Sequence, residues 1–290
     1  MKNNNSSLNF KKNISWDDWI SLGKYVNVKG IKTFYVEKGK GKTLLLLHGW
    51  GASSFSWRNN LLPLSEHFHV IALDLKGFGL TEKPKGKYDL SEFTEHVKTF
   101  IDELGLEKIC LVGNSMGGGI AINLTYNFEE LIDRIILIDA TAIRDENSLP
   151  LLFRIVGIKP IGELLSLFMI NRKTVINALN QVYYDKSKIN NAVIEGYYRP
   201  LKLQGSRRVL LSSSRNLSKF KVLENYLEKI NKKCLIIWGE KDPWLPVKYA
   251  YEINKKIRDS KLIIIPEAGH VPHEEKPEIV NEAIVNFMQY

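Results

Sequence analysis

Six apolar runs, TLLLLHGW, HVIALDL, KICLVGNS, RIILIDA, KCLIIWG and KLIIIPEAG, recur along the chain, mostly separated by segments of helical periodicity. This alternation constrains the fold more than any single residue. A strand apolar at every position must be covered on both faces, and a parallel sheet flanked by helices does that. Segments such as SEFTEHVKTFIDELG and PEIVNEAIVNFMQ supply the covering helices. Upstream, YVNVKGIKTFYVEKG reads as two strands with partial alternation around a Lys-Gly turn. The pattern predicts an antiparallel hairpin that leads into repeated β-α units.

One interval breaks the rhythm. Between Ala140 and Lys233 no clear strand occurs, and helical, partly apolar stretches such as LPLLFRIVGIKPIGELLSLFMI and KTVINALNQVYYDKSKINNAV take its place. A stretch of that length is not expected to be a structureless loop. It predicts a helical cap over 143–215, inserted into a core formed by 24–142 and 216–290, with 1–23 as an N-terminal arm whose first dozen residues are loose. A chain of 290 residues suits one core with one sizeable insertion.

Composition excludes some function classes. Lys and Arg number 41 against 32 Asp and Glu, but the excess is scattered and forms no basic block interleaved with aromatics. That argues for solubility and weak contact with anionic membrane surfaces, and against nucleic-acid binding. The N-terminus MKNNNSSLNFKKNISWDDW lacks the apolar stretch of a signal peptide, and no later run is long enough to span a bilayer. Cys110 and Cys234 sit inside apolar runs, which predicts core thiols rather than a disulfide. A cytoplasmic location is the expectation that fits these features.

Chemistry enters at LVGNSMGGG. Gly113, Asn114, Ser115, Met116 and Gly117 have the form G-x-S-x-G, placed after a strand-like run and before a helix-like one. A serine on so sharp a turn projects its hydroxyl out of the sheet, while glycine on either side lets backbone pass closely. The turn also leaves the amide of Met116 at a helix start, free to donate to an oxygen that becomes negative.

A serine hydroxyl needs a base to take its proton. Of six histidines, His270 follows the last strand-like run and lies at the same sheet edge as Ser115. His67 and His69 flank a strand start, His96 is expected on a solvated helix face beside Glu95 and Lys98, and His273 is expected at the surface or supporting the loop. The base in turn needs a carboxylate to hold its tautomer. Asp242, after CLIIWG, gives the chain order Ser, Asp, His and is preferred to Asp139, which ends RIILIDA, and to Glu240. The loop after the first parallel strand contains His48, Gly49 and Trp50. There the Trp50 amide is the second oxyanion donor, Gly49 permits close approach, and His48 orients the loop.

Taken together, HGWGASSFSW, DLKGFGLTEKP, LVGNSMGGG, WGEKDPWLP and PEAGHVPHEEKPE resemble segments of the α/β-hydrolase superfamily, in family order, from about Tyr25 to the C-terminus. The resemblance implies an eight-stranded, mostly parallel sheet with helices on both faces and a cap after the sixth strand. It also implies a nucleophile, acid and histidine at Ser115, Asp242 and His270. Haloalkane dehalogenases and epoxide hydrolases of this fold use an aspartate where this chain has Ser115, which argues against those reactions despite Tyr183, Tyr184, Tyr197 and Tyr198. The elbow is similar to that of meta-cleavage carbon–carbon hydrolases. The chain departs from them in having Gly51-Ala52 in place of Gly-Pro, and Val271 in place of an aromatic residue.

The expectation is therefore a serine hydrolase of a small or medium carboxylic ester, acting through an acyl-enzyme with no metal or organic cofactor. The alternatives are a carbon–carbon hydrolase of vinylogous diketones, a perhydrolase, and a ligand-binding receptor with slow hydrolysis. The apolar cap stretch is read as lining a pocket, as packing on the core, or both. Arg199, Arg207 and Arg208 are candidates for an anionic substrate group, although single cap charges are by default at the surface.

Overall fold

The structure, a computed structural model, describes residues 14–143 and 170–289. The first dozen residues and all of LLFRIVGIKPIGELLSLFMI except Ile170 lie outside the described residues.

Strands β1 (Gly23–Val28) and β2 (Ile31–Lys38) pair antiparallel, with Val28 opposite Ile31. The two residues between them have positive φ, 46° at Lys29 and 84° at Gly30. Such a pair turns the chain in a sense that matches the twist of the flanking strands.

The six apolar runs form β3 (Thr43–Leu47), β4 (His69–Leu73), β5 (Ile109–Asn114), β6 (Ile132–Ile138), β7 (Lys233–Gly239) and β8 (Ser260–Ile265). Across the sheet the order is β1-β2-β4-β3-β5-β6-β7-β8. β2 is antiparallel to β4, and every later pair is parallel. After β3 the chain moves to one side to make β4, then returns past β3 to make β5. That reversal opens a crevice at the carboxyl ends of β3 and β5, where open α/β sheets place their sites.

Both faces of the central strands are dry. Leu45, Leu47, Ile71, Leu73, Ile109 and Leu111 belong to one hydrophobic cluster, and Leu44, Leu46, Val70, Ala72, Cys110 and Val112 to another. The strict alternation is the two-residue period of a strand, with each face covered. On the first face lie α3 (Leu90–Glu103) and α4 (Met116–Asn127), which supply Phe93, Val97, Phe100 and Ile120. The other face is covered by α1 (Trp16–Ser21), α2 (Leu61–Ser65) and a C-terminal helix (Pro277–Gln289), through Trp16, Trp19, Leu61, Leu64 and Ile284. The Trp19 indole N–H donates to Ser54 Oγ at 3.0 Å, which satisfies its one polar atom. Among the parallel strands β8 departs most from two-sided burial. It pairs with β7 alone at the sheet edge, and Leu262, Ile263 and Ile264 are half-buried.

His96 is buried rather than solvated, with its Nε2 3.0 Å from Thr33 Oγ1. Its neighbours in sequence are charged, but at helical spacing it shares a face with Phe93 and Phe100, and that face meets the sheet. Cys110 and Cys234 are buried free thiols. Between β6 and β7 the described residues form α5 (Arg172–Val182), α6 (Asn191–Leu201) and α7 (Ser206–Asn216). Asn171 and Asn190 cap the first two, each side chain accepting an amide N–H from the helix's first turn. Val175, Leu179, Val182, Tyr183 and Val193 form a third hydrophobic cluster there, together with Val271 beyond β8. No described helix is long and apolar enough to cross a membrane.

Leu46 has no exposed surface and lies mid-strand between β4 and β5. Leu46→Ala is expected to lower unfolding free energy by about 3 kcal/mol, measured by urea denaturation, because the surrounding strands cannot collapse into the space left.

Candidate active site

β5 ends by crossing very close to the start of α4. A Cβ at Gly113 would lie 2.4 Å from the Gly117 carbonyl oxygen, and one at Gly117 would lie 2.3 Å from the Leu47 carbonyl oxygen. Larger residues do not fit at either position, which is the physical content of G-x-S-x-G here. Between them Ser115 has φ 53° and ψ −117°, a conformation rare for a residue with a side chain. The neighbouring backbone fixes it: the Ser115 amide donates to the Ile138 carbonyl at 3.0 Å, and its carbonyl accepts from Thr141 N at 3.0 Å and Gly119 N at 3.2 Å. The Ser115 hydroxyl makes no capping bond to α4.

The loops after β7 and β8 bring Asp242 and His270 together. Asp242 Oδ2 is 2.6 Å from His270 Nδ1, and both side chains are almost completely buried. Asp242 Oδ1 accepts from the amides of Trp244 at 2.7 Å and Leu245 at 2.9 Å. With one oxygen held by backbone and the other on Nδ1, the carboxylate fixes the ring so that Nε2 is its remaining nitrogen. The His270 backbone is anchored as well, through its amide to the Val182 carbonyl at 2.8 Å and its carbonyl to Asn114 Nδ2 at 3.2 Å. Asn114 therefore links the elbow to the histidine loop.

The loop after β3 packs on the elbow. A Cβ at Gly49 would lie 3.2 Å from Ser115 Cβ, so this glycine keeps the loop close. His48 Nε2 accepts the Leu75 amide at 3.1 Å, which leaves the proton on Nδ1 to donate to the Gly49 carbonyl at 2.7 Å. Asp74, in turn, accepts from the amides of Ser54 and Leu80, each at 2.6 Å. Trp50 reaches across to the inserted helices, its indole N–H donating to Ser213 Oγ at 2.8 Å. Met116 is the first residue of α4, so the helix itself leaves its amide unused.

A cavity of about 490 Å³ opens over these groups. It is lined by Trp50, Asn114, Ser115 and His270 from the strand ends and by Val175, Leu179, Tyr197 and Leu210 from the inserted helices. Among the described lining residues none is Lys, Arg, Asp or Glu. Arg199, Arg207 and Arg208 do not line it: Arg199 pairs with Asp17 at 2.8 Å, Arg208 donates to the Lys83 carbonyl, and Arg207 is exposed. Glu240 is exposed, whereas Asp139 is buried beside Asp242. One donor atom each from Asp139, Asp242 and His270 lies within 4.8 Å of the others. Asp242 Oδ2 and His270 Nδ1 stand 2.6 Å apart, closer than the roughly 3.3 Å between two ligand atoms of a tetrahedral metal at about 2.0 Å, and their distance is that of a direct hydrogen bond.

Sequence reasoning missed a buried polar network next to this site. Arg58 forms a salt bridge with Glu274, whose carboxylate also accepts from the phenols of Tyr183, at 2.7 Å, and Tyr197. Glu275 accepts the amides of Gly269 at 2.7 Å, Tyr184 at 2.8 Å and Asp185 at 2.8 Å. These bonds tie the helix after His270 to the inserted helices. The signal was PEAGHVPHEEKPE itself, whose charges look solvated until partners distant in sequence cover them. His273 is likewise fully buried, not at the surface, with its ring 4.3 Å from that of Trp57.

Burial lowers the proton affinity of His48, His96 and His273, each to about 4. An unfolded histidine titrates near 6.5. The stabilisation from keeping these rings neutral is therefore complete above about pH 6.5 and is lost as the pH falls toward 4. Neither ring nitrogen of His273 has a hydrogen-bond partner among the described residues. His273→Phe keeps the ring contact and is expected to raise stability at pH 7 by about 1 kcal/mol. Within the window it should reduce the pH slope by about 1.4 kcal/mol per unit, read from urea melts at several pH values.

Comparison with known proteins agrees with this architecture. A family model described as the alpha/beta hydrolase family matches residues 44–283. The 2-hydroxy-6-oxo-6-(2'-aminophenyl)hexa-2,4-dienoic acid hydrolase of Metapseudomonas resinovorans is 29% identical over 272 residues, covering 91% of this chain and 90% of its own. A meta-cleavage product hydrolase from Pseudomonas fluorescens IP01 superposes with a TM-score of 0.81 at 25% identity, covering 92% of this chain and 98% of its own. A membrane phospholipase A described as a bacterial virulence factor superposes at 0.73 with 27% identity, covering 92% and 85%. The match spans the sheet from β3 onward and both strand-end loops that frame the cavity, and the chain belongs to the alpha/beta hydrolase family.

Proposed function

We propose that the chain is a serine hydrolase that cleaves an uncharged carboxylic ester of small to medium size through an acyl-enzyme. The observation that carries this reading is His270, held by the buried Asp242 at 2.6 Å, which lines together with Ser115 one cavity whose described lining residues carry no Lys, Arg, Asp or Glu. In this reading 143–215 is a cap over a core of 24–142 and 216–290, and its helices select what enters.

The chemistry follows from the geometry. His270, held by Asp242 at Nδ1, removes the Ser115 proton through Nε2 as the hydroxyl oxygen attacks the ester carbonyl. In this reading the carbonyl oxygen becomes negative and is met by the amides of Trp50 and Met116. His270 then returns the proton to the departing alcohol. Water repeats the sequence on the acyl-enzyme and restores Ser115. Each step uses side chains and backbone of the chain alone.

A second reading is a carbon–carbon hydrolase. It is supported by the printed activity of the Metapseudomonas resinovorans relative and by the likeness to a meta-cleavage product hydrolase. A dienoic acid carries a carboxylate, and the described lining offers no Lys or Arg to receive it.

Steady-state hydrolysis of p-nitrophenyl esters from acetate to palmitate tests the proposal. A chain-length optimum is expected, lost by about 10⁴-fold or more in Ser115→Ala. Absence of ester turnover, together with bleaching of a dienolic diketone by the same preparation, would favour the second reading.

A further inference from the structure

Asp139 ends β6 and takes no part in the chemistry above. It is fully buried, with φ 43°. Its amide donates to the Ile237 carbonyl at 3.0 Å, and its Oδ1 accepts from Gly239 N at 3.0 Å. Its other oxygen, Oδ2, has no hydrogen-bond partner among the described residues. Yet an Asp139 oxygen lies within 4.8 Å of atoms of both Asp242 and His270. The acidic and basic groups acting at this point come from three loops: Asp242 after β7, His270 after β8, and Glu275 in the short helix that follows His270.

Two ionised carboxylates side by side in a buried site would place like charges together away from bulk solvent. A single proton between them removes that penalty. The two residues compete unequally for it. The Asp242 carboxylate already accepts from two backbone amides and from His270, all of which favour its charged form, while Asp139 accepts from one amide only. Burial and the neighbouring Asp242 charge hold the Asp139 carboxyl well above the usual carboxylate range, the same direction.

We propose that Asp139 stands as a neutral acid whose O–H donates to Asp242, making it a positioning residue that holds the Asp242 carboxylate against His270. The catalytic consequence rests on the role given to Asp242 under the proposed function, whereas the shared proton does not. Asn and Asp both tolerate a left-handed backbone, and an amide copies a neutral acid, accepting from Gly239 through oxygen and donating to Asp242 through nitrogen.

Infrared difference spectra of the native protein against Asp139→Asn at pH 7 read the proton directly. A carbonyl band of a neutral carboxylic acid, present in the native protein and missing from the variant, is expected. No such difference overturns the proposal, whether or not the protein hydrolyses esters. Where ester turnover is found, Asp139→Asn is expected to keep a near-native rate and the native pH profile. Asp139→Ala, confirmed as folded by its thermal melt, is expected to lose about 10²-fold in kcat with little change in KM. A loss of about 10⁴ in Asp139→Asn, with Asp242→Asn remaining active, would make Asp139 the ionised acid and overturn the assignment.

Discussion

The structure turns on a backbone crossing with no room for side chains. At Gly113 and Gly117 the elbow between β5 and α4 lies against itself and against the end of β3, so that Ser115 is forced into its left-handed conformation. Such strain persists only where the surroundings over-determine it. Here the carbonyl of Ile138 and the amide of Thr141 grip the Ser115 backbone from the end of β6, and the topological reversal brings the Gly49 loop onto its Cβ. The sheet order thus decides where the serine stands, and the glycines permit it.

Around that point several buried polar groups are paired. Asp242 uses both oxygens, Asn114 bridges the elbow to the histidine loop, and Glu274 gathers Arg58 and two tyrosine phenols. A buried ion pair of this kind adds little net stability over an apolar replacement, but breaking one member is costly because the other charge is left uncompensated. Its effect is one of placement. His270 and the residues that follow it, Glu274 and Glu275, are bonded to Val182, Tyr183 and Tyr184 at and just beyond the end of α5, so the histidine loop and the inserted helices are held together.

Much of the sheet was legible because strand burial leaves a plain mark. Runs such as TLLLL and ICLV are apolar at both parities, and the turn at Lys29-Gly30 announces the hairpin. The elbow was legible for a related reason, since its glycines are required by local crossings. Side chains whose environment comes from distant sequence were not readable. His96 looked solvated between Glu95 and Lys98 because a linear reading sees neighbours rather than helix faces. The pairing of Glu274 could not be read because Arg58 lies 216 positions away in sequence. Asp139 and Asp242 were weighed as alternatives from the sequence, and the fold places them side by side.

If this arrangement makes Ser115 a nucleophile, covalent labelling reads that property without a known substrate. The folded protein is treated with an alkyl fluorophosphonate and its peptides are mapped by mass spectrometry. The account predicts one phosphonyl adduct per chain, carried by Ser115 and absent from the folded His270→Ala variant. An unlabelled Ser115, or labelling that persists unchanged without His270, would contradict it.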